Sequence, residues 1–542
     1  MNGDRLSKLN RLADTFLTGG MVDPVSNIEQ VSYLLFLKLL DGEESSLIKS
    51  LYPRQAEGFR WSRWCTRSGP DLLDFVRDQV FPYMASLAEA APRIAGYFCG
   101  AWLEINDPNV LKQVVDRIED LNLTEPDLDF KSDILEYLMD RLWPEASLNA
   151  QFRTPRQIRL LMVEMLAPEI GETVCDPACG TGGLLSEAVN YILAKNAAGI
   201  QEIPIYGEDW LDKRGQSVSE AKKEFPAMQT YRKAVGEKSD DVKRLEQSVY
   251  GFDISRRMIR LAELNLRLHG LRRANVSTAN VLSEIGGLSA EDLARRYQVI
   301  ISNPPTSGLV VRDSIRRDIS GYSPKNDLFF LILMMKSLAP GGRCAVTVPE
   351  VILSSSQVTS VAIRRELAND FDLLAVISLP QALLSSYTAA RVVLLVFRRP
   401  NSGEGKDILS KRKEKVWFYE VQADGFDPEK SSASSRLLTP QDNDIPDLLD
   451  KWKAYKETNF LNPPGAETGT ALEPGSQEVR SWWTTVEGLS QNDYILVPNR
   501  YRPKTGREVR DGEVERLIEE NLLLEMEIAA GLKRLLKEVV SV

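Results

Sequence analysis

Val174-Cys175-Asp176-Pro177-Ala178-Cys179-Gly180-Thr181-Gly182-Gly183 joins a short β-prone run, ending in an acid, to a turn of small residues. Leu184, Leu185, Ala188, Val189, Ile192 and Leu193 follow at helical spacing, so the glycines stand where a strand gives way to a helix. Small residues at such a turn let a ligand approach the backbone. The free amides of the helix start favour an anionic group such as a carboxylate or phosphate. The pattern predicts an α/β domain in which Asp176, Pro177, Ala178, Gly180, Thr181 and Gly182 seat a cofactor. Taken by itself, it fits a tight turn in any α/β domain equally well.

Further along, Val299-Ile300-Ile301-Ser302-Asn303-Pro304-Pro305-Thr306 is an apolar strand closed by an amide and two prolines. Neither proline can donate to a ladder or extend a helix. The strand therefore stops, and the Asn303 amide is held at the carboxyl edge of the sheet, where open α/β sheets bind ligands. The amide oxygen and the Pro304 carbonyl are two acceptors, suited to both hydrogens of an exocyclic amino group on a base. Such a grip draws the nitrogen lone pair out of ring conjugation and aims it at an electrophile. Asn462-Pro463-Pro464 repeats the tripeptide in a Pro/Gly/Thr-rich stretch with no strand before it, and reads as linker.

Asp-Pro-x-x-Gly-x-Gly followed over 100 residues later by Asn-Pro-Pro resembles the DNA amino-methyltransferases that use S-adenosylmethionine. The flanking sequence, from about residue 10 to about residue 540, resembles the modification subunit of type I restriction-modification systems. The resemblance implies methyl transfer from S-adenosylmethionine to N6 of an adenine flipped out of duplex DNA. Asn303, Pro304, Pro305 and Thr306 are then the catalytic positions, and Asn303 also faces the cofactor. The implied fold is a Rossmann-like S-adenosylmethionine-dependent methyltransferase sheet (α/β) with an α-helical N-terminal domain and a C-terminal helical tail. The expected boundaries are 1–145 for the helical domain, 146–422 for the catalytic domain, 423–480 for a linker-rich region, and 481–542 for a C-terminal segment with a partner-binding helix.

Other positions carry the reading with alternatives attached. Thr154, in Gln151-Phe152-Arg153-Thr154-Pro155, is a candidate N-cap with Pro155 at the first helical position. By resemblance it instead closes over the methionine part of the cofactor. Val249 to Asp253 reads as the second strand, its acid accepting from ribose hydroxyls. Asp253 lies 77 residues after Asp176, which makes 196–247 an insertion. Ile203 to Asp209 competes for the same role, but the helix after it is weakly periodic. Asn280, closing a strand from Val276, is expected at the cofactor's adenine amino group, although most relatives place an acid there. Tyr297 to Asn303, Arg343 to Val348, Leu373 to Ser378 and Val392 to Phe397 complete about seven strands, the last two antiparallel-compatible.

Position 306 departs from the family, whose aromatic there stacks on the extruded base, worth about 1–3 kcal/mol per base. Thr306 cannot stack; Tyr322, Phe329 and Phe330 are the candidate substitutes. A methyltransferase fold kept as a catalytically weak or inactive subunit for cofactor sensing, DNA binding or assembly is therefore the competing reading. Methylation of another amino group, in RNA, in protein or at N4 of cytosine, is a third. Arg312, Arg316 and Arg317 read either as a solvated loop face or as phosphate contacts. Tyr501 and Arg502 either pack on the core or meet DNA.

The 43% hydrophobic and 27% charged content is ordinary for globular protein, and 542 residues allow about three domains. Five scattered cysteines without ligand spacing argue for a reducing compartment without disulfides or zinc. No signal peptide opens the sequence, and the densest apolar run, Val31 to Leu40, is too short to span a bilayer, so a cytoplasmic protein is expected. His269, the one histidine, excludes Ser-His-Asp hydrolysis and His-based metal sites; it falls near a helix end, where it caps. A net charge of −10 is unlike a free-standing DNA binder, so either DNA contact is confined to a groove or a partner supplies it.

The motif order leaves no stretch for target recognition, which implies a separate specificity subunit; a restriction/translocase subunit and a second copy of the chain are further expected partners. The amphipathic run Gly512 to Val540 fits docking on its own subunit or on a partner's helices, and the resemblance favours the partner. The amino-terminal helices are weighed as a packing domain against a direct clamp on DNA.

Overall fold

The computed structural model describes residues 3–19, 23–43, 51–123, 128–142, 154–196, 199–204, 230–235, 239–283, 296–305, 315–316, 319, 326–380, 391–401, 414–426, 438–470 and 479–503. Thr306, Arg312, Arg317, Tyr322 and the stretch Gly512 to Val540 lie outside them.

The amino-terminal part is helical, as its periodicity predicts. α1 (Gly3–Thr18), α2 (Pro24–Glu43), α3 (Pro108–Asp120) and α4 (Leu128–Leu142) surround short helices between Trp61 and Phe98. α2 is apolar on nearly every side and is correspondingly buried, with Val31, Leu34, Leu35 and Leu37 inside. α3 starts at Asp107, whose side chain accepts from the Asn109 amide at 2.7 Å ahead of Pro108. Ile134, Leu135, Leu138, Met139 and Leu142 of α4 are all buried.

α5 (Arg156–Leu166) leads into the α/β part. Its N-cap position is Pro155, in extended backbone, without a side-chain cap. This corrects the capping reading of Thr154, whose hydroxyl is engaged elsewhere. α5 is pinned from several sides. Arg159 makes paired bonds of 2.8 and 2.9 Å to Glu136, Gln157 Nε2 donates to Asp424 at 2.9 Å, and the Trp452 indole donates to the Met165 carbonyl at 3.0 Å.

The sheet strands are β1 (Val174–Asp176), β2 (Val249–Asp253), β3 (Asn275–Thr278), β4 (Tyr297–Ser302), β5 (Leu338–Pro349), β6 (Asp372–Ser378), β7 (Val392–Arg398), β8 (Lys415–Glu420), β9 (Ala466–Glu467) and β10 (Ser481–Thr485). Their order is β9-β10-β8-β6-β7-β5-β4-β1-β2-β3. β1 to β5 are mutually parallel where they pair; β7 runs antiparallel to both β5 and β6. The chain reverses direction across β1, with β2 on one side and β4 on the other, and ligand crevices open at such switch points. Helices α6 (Gly183–Asn196), α7 (Arg256–Leu268), α8 (Asn326–Ser337), α9 (Glu350–Ser354) and α10 (Val358–Asp370) cover its faces.

Two expectations change here. Among the described residues the sheet has ten strands rather than about seven, because β8 pairs parallel with β6, β10 pairs antiparallel with β8, and β9 joins β10. The stretch read as linker-rich holds a helix, α11 (Ile445–Glu457), whose Trp452 stacks on Trp417 with ring centroids 6.0 Å apart. The expected insertion begins as a hairpin of Gly199–Pro204 with Thr230–Val235 and ends in the helix Ser239–Ser248; the rest of it lies outside the described residues. Ile203 is in that separate hairpin, whereas Val249 to Asp253 lies beside β1 in the main sheet.

α7 is buried on two sides. Ile259, Ala262 and Leu266 pack toward the sheet, and Met258, Leu261, Leu264 and Leu268 share one core with the amino-terminal helices. The helical domain is thus joined to the sheet through α7. His269 ends that helix, its Nδ1 2.7 Å from the Asn265 carbonyl. Among the described residues no helix is long and apolar enough to cross a membrane, and all five cysteines are free thiols.

Candidate active site

β1, β2, β4 and β5 end together, and their last residues build one cluster. The register aligns Asp176 with Gly251 on β2, and Ser302 on β4 with Val346 on β5. After β1 the chain turns on Gly180 and Gly182, at φ +52° and +76°, a region L-residues with side chains avoid. At Gly182 an added Cβ would sit 3.1 Å from the Ala262 Cβ, so the glycine also lets α7 pack under the turn. The Asn265 amide, buried in α7, donates to the Thr181 carbonyl at 3.1 Å and supports the turn from below.

Asp176 is 1% exposed. Its Oδ1 accepts from the Ser302 hydroxyl at 2.6 Å and from the Ala178 amide at 3.0 Å. Burial pushes its carboxyl up to about 7, and the Asp253 charge adds to the rise against those two bonds. Asp253 accepts from the Ser255 amide at 2.7 Å and the Gly180 amide at 3.2 Å, and burial raises its carboxyl too. Among the described residues, the causes acting on the two carboxyls include no cationic side chain. Two desolvated carboxyls thus flank the glycine turn.

Ile254, next to Asp253, is 73% exposed, an unusual position for a large aliphatic side chain, and offers an apolar face at the same edge. Asn280 lies just past β3; its side chain accepts from the Leu282 amide at 3.2 Å, while the Ala279 amide donates to the Asp253 carbonyl at 2.9 Å. Position 280 therefore borders Asp253 but follows the strand instead of closing it.

Asn303 follows β4 directly, half-buried, with Pro304 buried and Pro305 exposed. Its Nδ2 donates to the Thr154 hydroxyl at 2.9 Å, and its Oδ1 accepts from the Thr347 hydroxyl of β5. The structure thus brings together Thr154, Asp176, Ala178, Gly180, Asp253 and Asn303. Sequence reasoning missed Ser302, Thr347, Asn265 and Ile254. Thr347 had one faint signal, a hydroxyl in the otherwise apolar run Cys344 to Val348.

Two expectations are corrected. Phe329 and Phe330 are buried in the core on α8 and present no face for stacking. Arg316 is 1% exposed and is not part of a solvated loop face. Of the two readings of the Tyr501 segment, packing on the core holds, since Trp482 and Tyr501 are buried against Phe418.

Comparison with known proteins agrees with this architecture. The family described as N-6 DNA methylase matches residues 127–216 and 228–509, and the HsdM N-terminal domain matches residues 6–118. The methylase subunit of the type I restriction enzyme EcoEI from Escherichia coli is 26% identical over 418 residues, covering 74% of each chain. A chain from a structure concerned with assembly and conformational transition of the type I R-M system has a TM-score of 0.66 at 24% identity, covering 98% of this chain and 97% of that one. A type I restriction-modification methyltransferase subunit from Streptococcus thermophilus has a TM-score of 0.61 at 16% identity, covering 92% and 99%. Family match and fold agree, and the chain belongs to the N-6 DNA methylase family, with an HsdM N-terminal domain ahead of its methylase region.

Proposed function

We propose that the chain transfers a methyl group from S-adenosylmethionine to N6 of adenine in duplex DNA, as the modification subunit of a multi-subunit restriction-modification complex that draws its target from a separate specificity subunit. The observation that carries the reading is the Asn303 amide, held between Thr154 and Thr347 directly after the Ser302 hydroxyl that bonds Asp176.

The site fits the cofactor on its own chemistry. Asp176 and Asp253 are desolvated with no cation acting on them among the described residues, a deficit that the positive sulfonium and ammonium of S-adenosylmethionine would fill. The Gly180 to Gly182 turn leaves backbone room, and Ile254 supplies an apolar face for an adenine ring. When bound, the cofactor supplies an electrophilic methyl.

The protein's part is positioning. Asn303 Oδ1 and the Pro304 carbonyl each accept one hydrogen of the amino group, which releases the nitrogen lone pair from the ring. The bound cofactor would supply the methyl to that nitrogen, and the surplus proton of the alkylated nitrogen would pass to solvent. No histidine assists, since His269 caps α7. Thr306, and the burial of Phe329 and Phe330, favour as the second reading a subunit of weak or no turnover.

Asn303→Ala, in the full chain assembled with its specificity subunit, decides between them. The enzyme reading expects methyl transfer to fall by at least about 100-fold with S-adenosylmethionine affinity kept within about threefold. Unchanged transfer in the variant would remove Asn303 from the mechanism. Binding without methylation of any DNA by the unmutated complex would establish the second reading.

A further inference from the structure

We propose that Thr347 is a positioning residue for the methyl transfer, its hydroxyl fixing the plane of the Asn303 amide. The proposal rests on the reading of Asn303 as the acceptor for the amino group.

Thr347 lies on β5 one residue beyond Val346, the partner of Ser302, so the strand register sets it alongside Asn303. It is 2% exposed, and its neighbours Cys344, Ala345, Val346 and Val348 are apolar. A hydroxyl buried in such surroundings is costly unless hydrogen-bonded, and this one donates to Asn303 Oδ1. On the other side of the same amide, Nδ2 donates to the Thr154 hydroxyl at 2.9 Å. Two bonds from opposite sides stop the amide from turning about its terminal torsion, which is otherwise broad. An amide oxygen has two lone pairs. Thr347 takes one, and the fixed plane then aims the second at the place where a base amino hydrogen must arrive. Thr154 comes from the segment before α5, whereas Thr347 belongs to β5, paired in the sheet on both sides. Thr347 is therefore the sheet's half of the clamp.

Two variants separate this role from packing. Thr347→Val keeps the shape and the methyl but lacks the hydroxyl; Thr347→Ser keeps the hydroxyl and lacks the methyl. Positioning predicts that T347V lowers kcat by about 10- to 100-fold, with KM for S-adenosylmethionine and the melting temperature little changed, and that T347S recovers most of the turnover. A packing role predicts the reverse order, T347S impaired and T347V near normal, and that result would overturn the proposal. So would a T347V loss that appears wholly in KM or in melting. Asn303→Ala measured in the same complex keeps the premise separate. If N303A still methylates, the reading of Asn303 fails; if N303A is inactive while T347V turns over normally, only the role of Thr347 fails.

Discussion

At the seam between the amino-terminal helices and α7, the buried carboxylate of Glu29 meets Arg260 at 2.6 Å, Arg257 at 2.9 Å and the Tyr33 hydroxyl at 3.0 Å. At the carboxyl edge of the sheet, Asp176 is as deeply buried and, among the described residues, meets a hydroxyl and an amide, with a second carboxylate nearby. The seam is electrostatically complete; the edge is deficient in positive charge. A buried charge that is answered within the chain holds domains together, while one left unanswered is unfavourable until a ligand brings the counter-charge. α7 carries both situations: its body supplies the seam arginines, and its start follows Asp253.

Removing the answer at the seam should have the largest effect on stability. Glu29→Ala leaves the Arg260 guanidinium buried beside Tyr33 without its carboxylate, and breaking a buried pair in this way costs about 3–5 kcal/mol. Denaturant unfolding of the full chain would register the loss, while the variant's affinity for S-adenosylmethionine below the unfolding transition should stay close to that of the unmutated chain. Equal losses in both would mean that seam and edge are not separable as drawn.

The opposite sign is expected at Asp176. Its folded carboxyl titrates at about 7, against 3.8 in model compounds. The stability this group contributes is complete below about pH 4 and is lost as pH rises through about 7. Above that, the ionised group opposes folding. Asp176→Asn keeps polar partners for Ser302 and Ala178 and removes the charge, so at pH 8 the ligand-free variant should be more stable by roughly 2–4 kcal/mol. The same change should weaken S-adenosylmethionine binding. A variant less stable at pH 8 would contradict the account of the edge as charge-deficient.

These two regions also differ in how far the sequence revealed them. The seven strands β1 to β7 and the residues Asp176, Asp253 and Asn303 were legible because glycines, prolines and strand-end polar residues act locally: each ends a strand or opens a turn by its own geometry. Ser302 and Thr347 act across strands, and only the register of β1, β4 and β5 shows what their hydroxyls meet. β9, two residues long, is too short to carry any periodicity, so the sheet's outermost strand was hidden. Arg316 looked like one of a solvated cluster because composition records charge and says nothing of burial.

The smallest of the expected effects follows from the titration itself. Because S-adenosylmethionine carries net positive charge at the sulfonium and ammonium, the proposed function expects it to bind the ionised form of Asp176 in preference to the neutral one. Above about pH 7 that form is already populated in the ligand-free chain, and affinity should be flat. Below it, binding must expel a proton, and affinity should fall by up to about tenfold per pH unit, or about 1.4 kcal/mol. Calorimetry at pH 6 in two buffers of different ionisation enthalpy should therefore detect release of up to roughly one proton per cofactor bound, declining toward pH 8. Asp253, raised in the same direction, would extend the fall to lower pH. In Asp176→Asn the main slope near neutrality should disappear, leaving whatever Asp253 contributes. An affinity that does not change between pH 6 and pH 8 in the unmutated chain would place the positive end of the cofactor away from Asp176, and the edge would then need another explanation for its unanswered charge.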